Sequence, residues 1–134
     1  MWEGEGVVDE LSVDECWKLL RQAPVGRIAA TAGGQVDIFP VNATAQRPNL
    51  YFRTAPGTKL LEMTIHEHVA FEVDGYTPTK AWSVVAKGIA TVLEREAEVD
   101  AAESLGLVSW VPTPKTVWVR IRDVQVTGRR FKRN

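Results

Sequence analysis

The chain has 134 residues, 45% of them hydrophobic and 25% charged, a composition that suits one globular domain and requires no second. A net charge of -1 gives no bulk attraction to nucleic acid or to an anionic membrane, and no apolar run approaches the length of a membrane span. The single cysteine, Cys16, excludes an internal disulfide, and residues 1–5 carry neither a basic nor an apolar leader pattern, so a soluble cytoplasmic protein is expected.

Residues 1–11 read as a flexible, acidic lead. Ser12, with Glu15 three places on, resembles a capping box. Val13, Cys16, Trp17, Leu19 and Leu20 then recur at helical spacing until Pro24. Residues 26–31 form a short apolar strand, Gly33 and Gly34 a turn, and 36–43 a second strand, which together make a hairpin. A third strand is expected over 50–53 and a short helix over 58–66. Two strands with clear alternation follow. In the first, over 69–73, Val69, Phe71 and Val73 share a face. In the second, over 81–93, Gly88 marks a bend.

Residues 94–105 read as a helix and 110–114 as a proline-rich loop. In the last strand Val117, Val119 and Ile121 are odd-numbered whereas Val124 and Val126 are even, so the phase slips near Asp123 and a β-bulge is expected there. Residues 132–134 read as a basic tail. The sum is a mainly β (α+β) domain over 12–131, with about six antiparallel strands in a small barrel and two to three short helices.

The chemistry concentrates between the third strand and the helix after it. Arg53, Thr54, Thr58 and Lys59 place two cations and two hydroxyls around a Pro-Gly break, the composition of a phosphate cradle or of an ordinary basic turn. Arg53 offers a planar fork of donors and Lys59 a point charge. Upstream, Phe39-Pro40-Val41-Asn42 puts a proline inside an otherwise good strand. Proline has no N–H for a ladder, so this strand must be an edge or be interrupted by something other than a strand. A planar heterocycle held against strand backbone and the Asn42 amide fits that requirement.

These residues carry a resemblance. Gly26-Arg27-Ile28-Ala29, Phe39-Pro40-Val41-Asn42, Tyr51-Phe52-Arg53-Thr54 through Thr58-Lys59, Trp82-Ser83-Val84-Val85 and Val126-Thr127-Gly128-Arg129-Arg130 together resemble the pyridoxamine 5′-phosphate oxidase-like, FMN-binding split-barrel family. The resemblance implies a six-stranded split barrel that forms a homodimer with a flavin at each of two equivalent interface sites. Carried over by position, it implies that Arg53, Thr54, Thr58 and Lys59 hold the FMN phosphate. Phe39, Pro40, Val41 and Asn42 then run beside the isoalloxazine ring, and Trp82 and Ser83 line the same pocket. The implied activity is hydride transfer to a small organic substrate. A deazaflavin-dependent reductase and a non-catalytic flavin-binding or storage protein are the alternatives on the same scaffold.

Other features have plainer readings. His66 and His68 lie two apart with no carboxylate or cysteine at ligand spacing, so no metal site is expected. Trp17, Trp82 and Trp118 are core residues by default. Trp110, in the proline-rich loop, either covers a neighbour's flavin or fills a dimer interface. Lys87 either faces the pocket or snorkels to water.

Overall fold

The computed structural model of the chain describes residues 8–110 and 115–133. Eight strands and three helices alternate as β1 (Val8–Glu10), α1 (Val13–Gln22), β2 (Gly26–Ala32), β3 (Gln35–Val41), β4 (Ala43–Gln46), β5 (Asn49–Thr54), α2 (Lys59–Thr64), β6 (His68–Tyr76), β7 (Lys80–Val92), α3 (Glu96–Glu103) and β8 (Val117–Lys132). The strands form one antiparallel sheet in the order β3-β2-β6-β7-β8-β5-β4, with β1 added to β8. This is the expected mainly β split barrel, with eight strands rather than six. The additional strands are β1 and the piece cut off as β4.

Local signals account for much of this. The Ser12 hydroxyl accepts the Glu15 N–H at 3.1 Å, which fixes the start of α1 and leaves Cys16, Trp17 and Leu20 on its buried face. Gly33 and Gly34 both have positive φ, 56° and 80°, the conformation that lets β2 and β3 meet through a two-residue turn. In β8, Asp123 has φ 55° and the β7–β8 register shifts between Lys87 and Ile89, so the expected bulge is present. The bulge returns Val124 and Val126 to the main core. Opposite it, a Cβ on Gly88 would lie 2.5 Å from the Arg122 carbonyl, so this crossing admits only glycine without rearrangement.

The first and last described strands meet. Val8–Glu10 pairs with residues 129–131, placing Glu10 opposite Arg129 and Asp9 opposite Arg130, and Arg130 also bonds Glu15 at 3.2 Å. The acidic start and the basic end therefore offset each other on one sheet edge. Residues 8–10 are part of the sheet rather than of a lead, and Lys132 is the last residue of β8. Arg133 extends the edge by donating to the Thr77 carbonyl at 2.8 Å.

The sheet is not closed. The two ends of its seven-strand path are β3 and β4, and a single residue, Asn42, joins them. One intervening residue limits the edges to a separation of about 7 Å there. The second strand expected over 36–43 is thus broken at Asn42, and Pro40 sits on an edge strand, where proline is tolerated.

Two hydrophobic clusters result. The main core lies inside the curled sheet and includes Ile28, Phe52, Phe71, Val84 and Ile121. A smaller cluster of Leu93, Ala102 and Trp118 lies between α3 and the outer face of β5, β7 and β8. Trp17 and Trp118 are core residues as expected, whereas Trp82 is only half-buried and belongs to neither cluster.

Candidate functional site

Strand β5 alternates strictly. Leu50, Phe52 and Thr54 point into the main core, and Tyr51 and Arg53 point to the outer face that α3 partly covers. Arg53 lies with its guanidinium carbon 5.3 Å from the centroid of the Trp118 ring, a cation–π arrangement. Its Nη2 donates to the Leu107 carbonyl at 3.3 Å. Its Nε is buried and has no hydrogen-bond partner among the described residues. A buried guanidinium N–H without an acceptor is uncommon enough in a folded protein to call for one.

Arg53 lines a cavity of about 80 Å³ together with Pro40, Val41, Asn42, Leu60, Leu107, Ser109 and Lys115. The structure thus brings the proline-broken edge and Arg53 to one place. Asn42 is the seam of that cavity. Its Nδ2 donates to the Pro24 carbonyl at 2.8 Å and its Oδ1 accepts the Trp110 N–H at 3.0 Å, so its amide plane is fixed by backbone on both sides. Phe39, by contrast, turns inward and packs against the main core.

The rest of the expected cradle is used differently. Thr58 is the N-cap of α2. Its hydroxyl accepts the Leu61 N–H at 3.2 Å, donates to the Ala55 carbonyl at 3.0 Å and lies 2.8 Å from the Thr54 hydroxyl. The Thr58 N–H also reaches the Ala55 carbonyl, at 3.4 Å. Both threonine hydroxyls and this N–H are therefore engaged in holding the turn rather than pointing at open space, because a buried Thr54 must find a partner. Lys59 pairs with Asp37 of β3 at 2.9 Å and is half-exposed, outside the cavity. The lysine that lines the cavity beside Arg53 is Lys115.

Trp82 and Ser83 lie elsewhere in the chain's own structure. Trp82 is opposite Arg130 on β8 and Arg53 is opposite Trp118, so twelve residues of β8 separate the two positions. At strand rise that is a contour of about 40 Å. Within one chain they do not share the Arg53 cavity. They line a groove of about 550 Å³ with Gly75, Tyr76 and Phe131, and Ser83 also borders one of about 570 Å³ with Leu11, Val85 and Gly128.

The remaining candidates are quiet. Among the described residues no group of histidines, cysteines and carboxylates could hold a metal ion. Cys16 is buried, and burial, with the Glu15 charge adding, pushes its thiol pKa up, away from nucleophilic use. The hydrogen bond from Arg27 to Glu72, helped by Asp74, holds the Arg27 guanidinium above its usual pKa and makes it a structural ion pair. Lys87 is exposed, and Trp110 is 62% exposed at the edge of the described residues, with 111–114 of its expected loop outside them. No described helix is long and apolar enough to cross a membrane.

The sequence does not disclose the contacts that Leu107 and Trp118 make with Arg53. A backbone carbonyl has no sequence signature, and Trp118 alternates with Val117 and Val119 as any buried strand aromatic would.

A family model described as pyridoxamine 5′-phosphate oxidase matches residues 12–130. A FAD-binding protein from Mycobacterium smegmatis is 40% identical, with 92% of this chain and 98% of that one covered and a TM-score of 0.83. A FAD-binding protein from Mesorhizobium loti is 27% identical, with 92% and 97% covered and a TM-score of 0.75. An uncharacterised Mycobacterium tuberculosis protein is 39% identical over 87 residues, 65% of this chain and 79% of that protein.

Proposed function

For a chain that belongs to the pyridoxamine 5′-phosphate oxidase family, with Arg53 set as described, we propose flavin binding in the service of an oxidoreductase activity on a small organic substrate. The observation that carries this reading is the buried Arg53 Nε, without a partner among the described residues, beside Pro40, Val41 and Asn42. An anion that ends a planar ligand satisfies it, and FMN and FAD share such a phosphate next to the ribityl chain. The FAD-binding relatives favour a flavin over a deazaflavin coenzyme and admit the dinucleotide as well as FMN.

Arg53 supplies the directional, charge-assisted bond to the phosphate. Lys115, which lines the same cavity, adds positive charge around it, and Lys59 contributes only if it leaves Asp37. Thr54 and Thr58 act through the turn they brace. Pro40, Val41 and Asn42 present a flat edge on which donors and acceptors are already fixed, while Phe39 supports that edge from the core side. The flavin, when bound, supplies the hydride chemistry, so the chain need provide only position, polarity and exclusion of water.

The cavity argues for a second copy. Sites for drug-sized ligands occupy roughly 300–1,000 Å³, and the Arg53 cavity of about 80 Å³ accommodates only one end of a flavin. A homodimer in which a partner's groove at Trp82 and Ser83 faces the Arg53 cavity supplies the missing wall and reunites the expected site residues.

The test is direct. Purified protein should absorb in the oxidised flavin bands, release FMN or FAD on denaturation, and scatter light as a dimer. Arg53→Ala should remove the absorption, and Lys59→Ala alone should leave most of it. A colourless protein that binds only added deazaflavin contradicts the cofactor assignment, and a flavin-loaded strict monomer contradicts the shared site. Bound flavin that a nicotinamide donor reduces and an acceptor reoxidises over many turnovers establishes the enzyme. Flavin that never turns over leaves a binding protein.

A further inference from the structure

Arg53 does not reach its place unaided. Its guanidinium lies over the Trp118 ring, and the Trp118 Nε1 donates to Glu103 Oε1 at 2.9 Å from the last turn of α3. The same guanidinium donates to Leu107, four residues beyond that helix. Helix α3 rests on the sheet through its own small cluster of Leu93, Ala102 and Trp118, separate from the main core. Arg120, next on the same face, bonds Glu98 at 2.9 Å and adds a second tie. A flexible arginine held by a ring on one side and a carbonyl on the other loses less rotamer freedom on binding an anion than a free one does.

We propose that α3 is a positioning element for Arg53. Glu103 fixes the Trp118 indole, and Trp118 with the Leu107 carbonyl fixes the guanidinium that captures the ligand phosphate. This rests on the flavin reading above, and neither Glu103 nor Trp118 touches the ligand in it. The sign of the effect separates positioning from bulk electrostatics. Removing the Glu103 charge near an anion site should strengthen phosphate binding if only long-range charge matters. If Glu103 works through Trp118, its removal should weaken it.

The experiment compares the affinities of FMN and riboflavin, which differ by the phosphate, in fluorescence titrations of apo-protein. Glu103→Ala should lower the preference for FMN about threefold, the cost of one neutral–charged hydrogen bond passed on in part. Ala102→Phe, which adds no charge and forces α3 off its cluster, should lower it about tenfold, as expected for overpacking at a buried position. Glu96→Ala removes the same charge from the exposed first turn of α3 and should leave the preference unchanged. An unchanged or increased preference in Glu103→Ala overturns the proposal, as does equal weakening of FMN and riboflavin, which a merely structural helix would give. If Ala102→Phe does not fold, Glu103→Ala decides alone. Arg53→Ala runs in parallel. If it too leaves the preference unchanged, the phosphate reading itself has failed. If it lowers the preference while Glu103→Ala does not, only the positioning role has.

Discussion

The two faces of β5 do opposite work. Leu50 and Phe52 on the inner face are 1% and 0% exposed and belong to a continuous core. Tyr51 and Arg53, one residue out of phase, sit on an outer face whose covering cluster has three buried residues. The first arrangement is packed for stability. The second leaves the buried Arg53 Nε, like that of Arg120 on the same face, without an acceptor among the described residues, a cost of about 1–3 kcal/mol that a bound anion at Arg53 would offset. A strand's period of two is enough to place a stability face and a candidate binding face on the same six residues.

Substitutions can break this contrast. Phe52→Ala, on the inner face, should lower unfolding free energy by about 3–5 kcal/mol in a denaturant titration. Its effect on ligand affinity should follow only from that loss. Gly88→Ala forces a Cβ against the Arg122 carbonyl and Ile121 and should cost about 1–3 kcal/mol, seen as a lower Tm. On the outer face, Arg53→Ala should change folding stability by less than about 1 kcal/mol, since the lost Leu107 hydrogen bond and Trp118 cation–π contact are offset by removal of a buried N–H that has no acceptor among the described residues. Its effect should instead appear in flavin affinity. Thr58→Ala lies between the two. Loss of the α2 cap should cost about 1 kcal/mol of stability, and the buried Thr54 hydroxyl is left without its partner. The smallest effect belongs to the Glu15–Arg130 pair, half-exposed on both sides, where Glu15→Gln should change stability by less than about 0.5 kcal/mol.

What the sequence disclosed follows the range of the interactions. The Ser12 cap, the Gly33-Gly34 hairpin, the bulge at Asp123 and the edge position of Pro40 each rest on neighbours within a few residues, and each is present. The three-residue strand β1 was not legible, because its partner lies some 120 residues away and three residues carry no period. The break at Asn42 was hidden by a continuous apolar pattern. It arises because the chain must step from one sheet edge to the other, a requirement set by topology. In the candidate site, Arg53 and Asn42 were identifiable by type and setting. Their partners, the Leu107 carbonyl and the Trp110 N–H, are backbone groups that any residue would supply. Lys59 drew attention as a cation at the right spacing, but Asp37 on the opposite edge holds it outside the cavity.

The most direct test of the central claim, that Arg53 reads the phosphate of a bound flavin, is the ratio of FMN to riboflavin affinity in the wild-type protein and in Arg53→Ala. Loss of a charge-assisted bond predicts that the wild-type preference for FMN falls by about thirtyfold in the variant, with riboflavin affinity nearly unchanged. Equal ratios in the two proteins would contradict it.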